Sequence, residues 1–428
     1  MNNMGHCNFE LVPKRLFQIF PFFKYLMYTP SYHSLHHTQF RTNYSLFMPL
    51  YDYIYGTMDS STDKVYETSL ERKEEMPNIV HLTHPTTLES IYHLRLGFAW
   101  LAAGPYTSKW YLWVLLPVTW WSMLVAWIYG QTFVVERNMF NHLKLQTWVV
   151  PRYSFQYLLS WQREAINNLI EEAIVEADKS DVKVLSLGLL NQASCSAILY
   201  TLESSCICWI MELQGEELNR SGELYIQKHP KLKVRVVDGS SLAVAVVLNS
   251  IPKGTKQILL RGNLSKVAFA IVQALCEKGV EVVTVYKDEY EKLKLRFSSR
   301  FSNTLIFSKS FSSQVWLVGD GLRKDEQWKA AKGTIFIPFS QFPPTKMRKD
   351  CIYHTTPAMM TPKAFQNMHS CENWLPRKVM SAWRAAGIVH ALEEWNSHEC
   401  GEIMLDTENI WIASLRHGFQ PVIAPAHN

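Results

Sequence analysis

The sequence predicts two regions of different class: a helical, membrane-associated region over residues 1–149 and a soluble α/β domain with a mainly parallel sheet over residues 150–428. Three observations carry this reading. Residues 110–129 (WYLWVLLPVTWWSMLVAWIY) are an uncharged run, long enough as a helix to cover about 30 Å, the thickness of a hydrocarbon core. From residue 150 onward, short apolar strands alternate with helix-like stretches, the pattern of a parallel sheet covered on both faces. Between residues 29 and 45 lies a cluster of histidines, which gives the first region its chemistry.

The composition agrees. Of 428 residues, 47% are apolar, 13% aromatic and 19% charged, fewer charges than the roughly 25% of an ordinary soluble domain. Disordered, collagen-like and coiled-coil classes are excluded. The net charge of +5 leaves no basic stripe, so no nucleic-acid partner is expected. Eight scattered cysteines do not make a disulfide framework and suit a reducing, cytosol-facing environment. The first residues lack a charged segment followed by an apolar one, so no signal peptide is expected.

In chain order, residues 11–29 are aromatic and apolar but hold Lys14, Arg15 and Lys24 and are broken by Pro13 and Pro21, which suits an interfacial or hairpin segment. Residues 59–78 are hydrophilic and belong in water. In the run 110–129, Trp110 and Tyr111 at one end and Trp127 and Tyr129 at the other suit an aromatic belt. Residues 162–181 form an amphipathic helix, 182–190 a buried strand, and 231–241 another strand followed by a helix-like LAVAVVLNSIP. Residues 256–285 read as one β–α–β unit, its helix capped by Asn263 or Ser265 and stopped at Gly279. Two more apolar strands follow at 314–321 and 333–340.

His33, His36 and His37 stand at i, i+3 and i+4, which on a helix places them within an arc of about 100°. Thr29 or Ser31 can cap that helix, with Pro30 at its first turn. Three imidazoles on one face suit iron, zinc or copper; a polar helix face without metal is the plain alternative. No cysteine joins the spacing and no H-E-x-x-H occurs, so a zinc finger or zincin has no support. Asn2 and His6 form N-x-x-x-H, one helical turn apart.

These residues, with NNMGHCNFE around His6 and FRTNYSLFMPLYDYIYGT (40–57), resemble the fatty acid hydroxylase superfamily of membrane-bound non-haem di-iron enzymes, and IFIPFSQFPP (335–344) and HSCENW (369–374) carry the narrower likeness that follows. Within it the sequence is most similar to the plant very-long-chain aldehyde decarbonylases of cuticular wax synthesis, the eceriferum and glossy families. The resemblance covers nearly the whole chain. It implies a partial helical membrane di-iron domain followed by a Rossmann-like α/β domain that faces the cytosol at the endoplasmic reticulum membrane. It further implies very-long-chain aldehyde substrates converted to alkanes one carbon shorter, a deformylating oxygenase reaction, a related wax-synthesis subunit and a cytochrome electron donor. His33, His36 and His37 then match one histidine box and His6 the ligand of the N-x-x-x-H element, with Asn2 beside it. Asp52 is a candidate for orienting an imidazole N–H, with helix capping as its alternative.

The sequence departs from the family pattern twice. The family has earlier histidine boxes, so the resemblance predicts an N-terminally truncated form with four of the expected histidine ligands and an incomplete iron site. Residues 193–214 have no family counterpart and are expected to be an insertion, either a retained intron or an extra hairpin. A non-catalytic scaffold in a wax-synthesis complex is therefore the alternative function, and a reductase resident in the α/β domain a third. For that third reading the strand at 182–190 lacks a following G-x-G-x-x-G, and GDG at 319–321 is a turn. His81 and His84 are expected to be part of a Pro/Thr-rich loop. His369, Cys371 and Glu372 precede an Ala-rich packing helix, so helix-start chemistry is expected there rather than catalysis.

Overall fold

The computed structural model describes residues 14–39, 41–45, 48–71, 76–85, 132–153, 156–157, 159–188, 218–297, 300–301, 303–344, 347–366, 374–376 and 378–422, with Pro117, Leu124, Gly130 and Glu372 singly. The chain divides into two compact units, Met1–Met76 with Leu88–Ala103, and Pro77–Thr87 with Gly104–Asn428.

The described part of the first unit is a set of short helices: α1 (Lys14–Ile19), α2 (Phe23–Leu26), α3 (Pro30–Gln39), α4 (Leu50–Tyr55) and α5 (Thr62–Glu71). Pro21 separates α1 from α2. α3 starts where its sequence dictates: Pro30 opens the first turn and Thr29 Oγ1 accepts the N–H of Tyr32 at 3.2 Å. α4 stops at Gly56, whose φ of +65° a residue with a side chain rarely adopts. Ring contacts tie the helices together, Phe17 to Tyr66 at 5.3 Å and Tyr25 to Tyr53 at 4.8 Å. The expected fold class, a partial helical membrane di-iron domain ahead of the α/β domain, is corrected here. Among the described residues no helix is long and apolar enough to cross a membrane. The longest helices among the described residues of this unit have 10 residues, about 15 Å, half a hydrocarbon core. The run 110–129 lies outside the described residues except for Pro117 and Leu124.

The second unit is α/β with parallel sheets. β1 (Ile79–Thr83), the hairpin β2 (Phe133–Phe140) and β3 (Leu143–Val149), helix α6 (Arg163–Lys179), β4 (Val184–Ser186), α7 (Glu223–Lys228) and β5 (Arg235–Val237) build its first half. α6 buries Ile166, Ile170, Ala173, Ile174 and Ala177, one stripe at helical spacing, against Val80, Leu82 and Leu185 of the sheet. Then come α8 (Ser240–Ser250), β6 (Gln257–Arg261), α9 (Lys266–Glu277), β7 (Glu281–Thr284), α10 (Lys287–Phe297), β8 (Leu305–Phe307), β9 (Val315–Val318), α11 (Lys324–Gln327), β10 (Ile335–Pro338) and β11 (Ile352–Tyr353). The chain closes with β12 (Ala358–Met360), β13 (Phe365–Gln366), β14 (Val379–Ser381), α12 (Ala382–Leu392), α13 (Thr407–Arg416) and β15 (Gln420–Pro421).

One sheet runs β13-β2-β3-β1-β4-β5, parallel from β3 to β5. The other runs β11-β10-β9-β6-β7-β8 and is parallel throughout. Counted from β6, that order is 3-2-1-4-5-6, the order of dinucleotide-binding Rossmann sheets. α8 is apolar on all sides and buried from Ser240 to Val247. The core around it takes in Ile79, Val184 and Val237 of the first sheet and Ile258, Leu260 and Leu317 of the second. The β–α–β expectation for 256–285 holds: Ser265 caps α9 by accepting the Ala268 N–H, and Gly279 follows its end at φ +74°. The strands at 79–83, 133–140 and 143–149 join the α/β sheet although they precede residue 150. Residues 193–214 lie outside the described residues.

Candidate metal centre

α3 carries the histidines. His33 is buried and His36 half-buried, their ring centroids 6.1 Å apart and the planes 21° from parallel. The i, i+3 spacing thus brings two imidazoles together on one face. Tyr28 stands edge-on to His33 at 6.0 Å and Tyr44 to His36 at 5.7 Å. His36 Nδ1 lies 3.0 Å from the Thr42 carbonyl oxygen. A carbonyl only accepts, so Nδ1 carries a proton, the arrangement found where a histidine binds metal through Nε2. His37 is also on α3; its side chain, and all of Asn2 and His6, lie outside the described residues.

The loop after α3 is fixed by two residues. Asn43, buried with φ +53°, donates to the Tyr32 carbonyl at 3.1 Å and accepts the Asp59 N–H at 2.9 Å. Asp52, on α4, collects the N–H groups of Tyr44 (3.0 Å) and Ser45 (2.8 Å) and the hydroxyls of Thr57 (2.5 Å) and Tyr32. Burial by itself raises a carboxyl, but the hydrogen bonds from Thr57, Tyr32, Ser45 and Tyr44 outweigh it and hold Asp52 below the ordinary carboxylate range. Among the described residues these donors are hydroxyls and amides, none an imidazole. Asp52 fastens the loop beneath Tyr44, and so reaches His36 through that loop.

Iron fits this face in part. His33 and His36 have the right donor chemistry and one has its tautomer set. Among the described residues, however, no group of three or more His, Cys, Asp or Glu comes together to hold a metal ion. His33 and His36 are the two candidate ligands whose side chains are described.

In the α/β unit, His81 is not in a loop but at the middle of β1, correcting that expectation. Its Nδ1 faces Ser186 Oγ at 3.4 Å, and burial followed by the charge of Arg384 pushes its pKa well down, so it is neutral. His84 follows β1, its ring 4.5 Å from Tyr157. Glu372 accepts from Ser381 N at 3.0 Å and from Ser381 Oγ, and Ser381 caps α12. That is the helix-start chemistry expected of HSCENW; His369 and Cys371 lie outside the described residues.

Two buried clusters escaped the sequence reading. Glu136, Thr147, His81 and Ser186 are register partners across four adjacent strands, a polar row through the sheet. Arg384 of α12 meets it, donating to Glu136 at 2.8 Å, Asn138 at 2.9 Å and Thr147 at 3.2 Å. A lone arginine in the apolar AWRAAG was the available signal, because a buried guanidinium demands a partner. In the second cluster Lys266 Nζ pairs with Asp238 at 2.7 Å, and Glu399 accepts the Ser241 N–H at 2.7 Å. Burial, then the neighbouring Asp238 charge, pushes the Glu399 carboxyl up to about 8.

Comparison with known proteins places the chain. Residues 258–421 match the family model "CER1-like, C-terminal domain". The very-long-chain aldehyde decarbonylase CER1 of Arabidopsis thaliana is 58% identical over 100% of this chain and 66% of its own length. The very-long-chain aldehyde decarbonylase GL1-5 of Oryza sativa subsp. indica is 58% identical over 99% of this chain and 65% of its own. The chain belongs to the CER1 and GL1 family. This CER1-family chain spans slightly less than two thirds of the length of these relatives. A solved L-tryptophan dehydrogenase from Nostoc punctiforme aligns over 80% of the CER1-family chain and 79% of its own at 12% identity, with a TM-score of 0.28, too low to bear on fold or chemistry.

Proposed function

We propose that this chain acts in wax alkane formation as a very-long-chain aldehyde decarbonylase, releasing alkanes one carbon shorter than the aldehyde by a deformylating oxygenase reaction. The printed activity of its CER1 and GL1 relatives supports the substrate class. The His33–His36 pair is the observation that supports a metal reaction. Iron would be held by His33 and His36, with His37 and His6 as further ligands and Asn2 beside them. When bound, iron supplies dioxygen activation. The chain's own residues set the wall: the Thr42 carbonyl holds the His36 tautomer, and Asp52, through Tyr44 and Ser45, holds the loop that carries Thr42. Converting an aldehyde and dioxygen to an alkane and formate requires electrons from outside, which calls for a donor such as a cytochrome. A related wax-synthesis subunit is the proposed protein partner. Exposed Ile19, Phe20, Phe22 and Leu26 in the first unit favour work at a membrane surface, with the endoplasmic reticulum as the proposed place.

The alternative is a non-catalytic scaffold in a wax-synthesis complex. Expression in yeast microsomes with a long-chain aldehyde separates the two. Alkane formation that His33→Ala and His36→Ala abolish, with loss of iron, supports the enzyme. No alkane, with retained binding to a full-length relative, favours the scaffold and overturns the catalytic proposal.

A further inference from the structure

A sheet ordered 3-2-1-4-5-6 takes its ligand where the order reverses, at the carboxyl ends of its first and fourth strands, with the pyrophosphate on the first helix N-terminus. In this chain that place lies between the ends of β6 and β9, and both loops are described. They are stitched together. The Gly319 N–H donates to the Arg261 carbonyl at 2.8 Å, and the Asn263 N–H donates to the Asp320 carbonyl at 2.7 Å. Gly262 takes φ +125° and lies so close to Gly319 that an added Cβ would stand 2.7 Å from the Gly319 backbone nitrogen. On the far side of Gly319 the buried Phe339 ring lies directly on its Cα, leaving no space for a Cβ. The two glycines that would admit a pyrophosphate instead admit each other and a phenyl ring.

Two further amides of the turn are engaged within it. Ser265 N–H donates to the Asn263 carbonyl at 3.0 Å, and Ala268 N–H donates to Ser265 Oγ at 3.3 Å. Lys266, the first residue of α9, points its ammonium to Asp238 and the Ile403 carbonyl rather than across the turn.

The ribose end is filled as well. Dinucleotide sheets place an acid at the end of the second strand to take the ribose hydroxyls. β7 instead leads into Tyr286. The Arg261 guanidinium lies 4.5 Å from that ring's centre and pairs with Glu289 at 2.5 Å and the fully buried Glu326 at 2.8 Å. Tyr286 hydroxyl donates to the same Glu326 at 2.5 Å. An incoming ribose would have to displace a buried charged network, which is strongly unfavourable once its partners are left unpaired.

We infer that the switch-point crevice of this Rossmann-order sheet is closed to NAD(H) and NADP(H), its two loops and the Arg261–Glu326 pair forming a structural joint where related folds bind a dinucleotide. A reductase using this crevice is thereby disfavoured. The whole purified chain is titrated with NADPH and with NADH to a concentration on the order of 1 mM, far above a usual micromolar Kd. Phosphorus NMR reads the nucleotide, and hydrogen exchange reads peptides covering residues 262–268 and 318–322. The expected result is no saturable broadening of the pyrophosphate signal and no change in exchange. Broadening without slowed exchange places the nucleotide elsewhere and leaves the closure standing. Saturable broadening together with slowed exchange in both peptides overturns it. Neither measurement involves alkane formation, so this inference and the proposed function fail separately.

Discussion

Asp52 in the first unit and Glu399 in the second are both carboxyls with almost no exposed surface, Glu399 the more deeply set, and their surroundings drive them in opposite directions. Asp52 receives two backbone N–H groups and two hydroxyls, and stays ionised below the ordinary range. Glu399 receives the Ser241 N–H on one oxygen, its other oxygen has no partner among the described residues, and Asp238 adds a second negative charge nearby. Burial raises both; for Asp52 four donors outweigh it, whereas for Glu399 deeper burial and the Asp238 charge outweigh its donors. The first arrangement suits a loop that must be held firmly under a histidine. The second makes a proton part of the native structure.

The largest effect should come from the one buried charge pair that links α12 to the polar row. Arg384→Met leaves Glu136 buried without its guanidinium partner, and should cost about 3–5 kcal/mol by denaturant unfolding. Adding Glu136→Leu should restore most of it; a double variant as unstable as the single would show that the pair itself, and not an orphaned charge, carries the stability.

The comparison of the two carboxyls is sharpest in pH. Glu399 has a folded pKa of about 8 against an ordinary value of 4.5, so the folded state binds the extra proton between them. Its contribution is complete below 4.5 and is lost as pH rises through 8. Stability should decline over that window with a slope of at most about 1.4 kcal/mol per pH unit, and Glu399→Gln should flatten it. Asp52 works the other way. Its folded pKa is depressed, so its contribution is present above the unfolded value of about 4 and disappears as pH falls through the folded one. An unchanged slope in Glu399→Gln would break the comparison.

Asp52→Asn keeps the shape but weakens charge-assisted hydrogen bonds, and should cost about 2 kcal/mol in the melting of the first unit. Because those bonds position Tyr44 and Thr42, bound iron in the proposed enzyme should fall as well; unchanged iron would separate the loop from the metal face. Smallest are the helix caps. Thr29→Ala on α3 and Ser265→Ala on α9 should each cost about 1 kcal/mol, the first with a further loss of metal and the second without.

Much of the α/β unit was legible because its signals are local. The stripe at Ile166, Ile170, Ala173 and Ile174 and the sequence from Gln257 to Thr284 repeat at helix and strand periods within a single window. The strands at 79–83 and 133–149 were not legible. Their inward faces carry His81, Glu136 and Thr147, polar residues that break an apolar run and find their partners far along the chain, at Ser186 and Arg384. At the candidate metal face, spacing alone brought His33 to His36. For Asp52 the sequence leaves an imidazole partner and helix capping open; its contacts among the described residues are Tyr32, Tyr44, Ser45 and Thr57, which depend on how the chain turns at Asn43.

α8 gives the protein's dissection a definite answer. The family-matched segment begins at residue 258, just beyond this helix, yet α8 fills the core beneath β6 and β9 as well as beneath β1 and β5. A fragment cut at 258 would keep the Rossmann-order sheet and lose the rod it is packed on. It would expose Leu260, Ile271 and Leu317 to water and should come out insoluble, whereas a fragment starting at Pro77 should give a single cooperative unfolding transition. In this chain a boundary drawn by sequence similarity runs through the middle of one folding unit, and the indivisible piece is the pair of sheets with their shared helix.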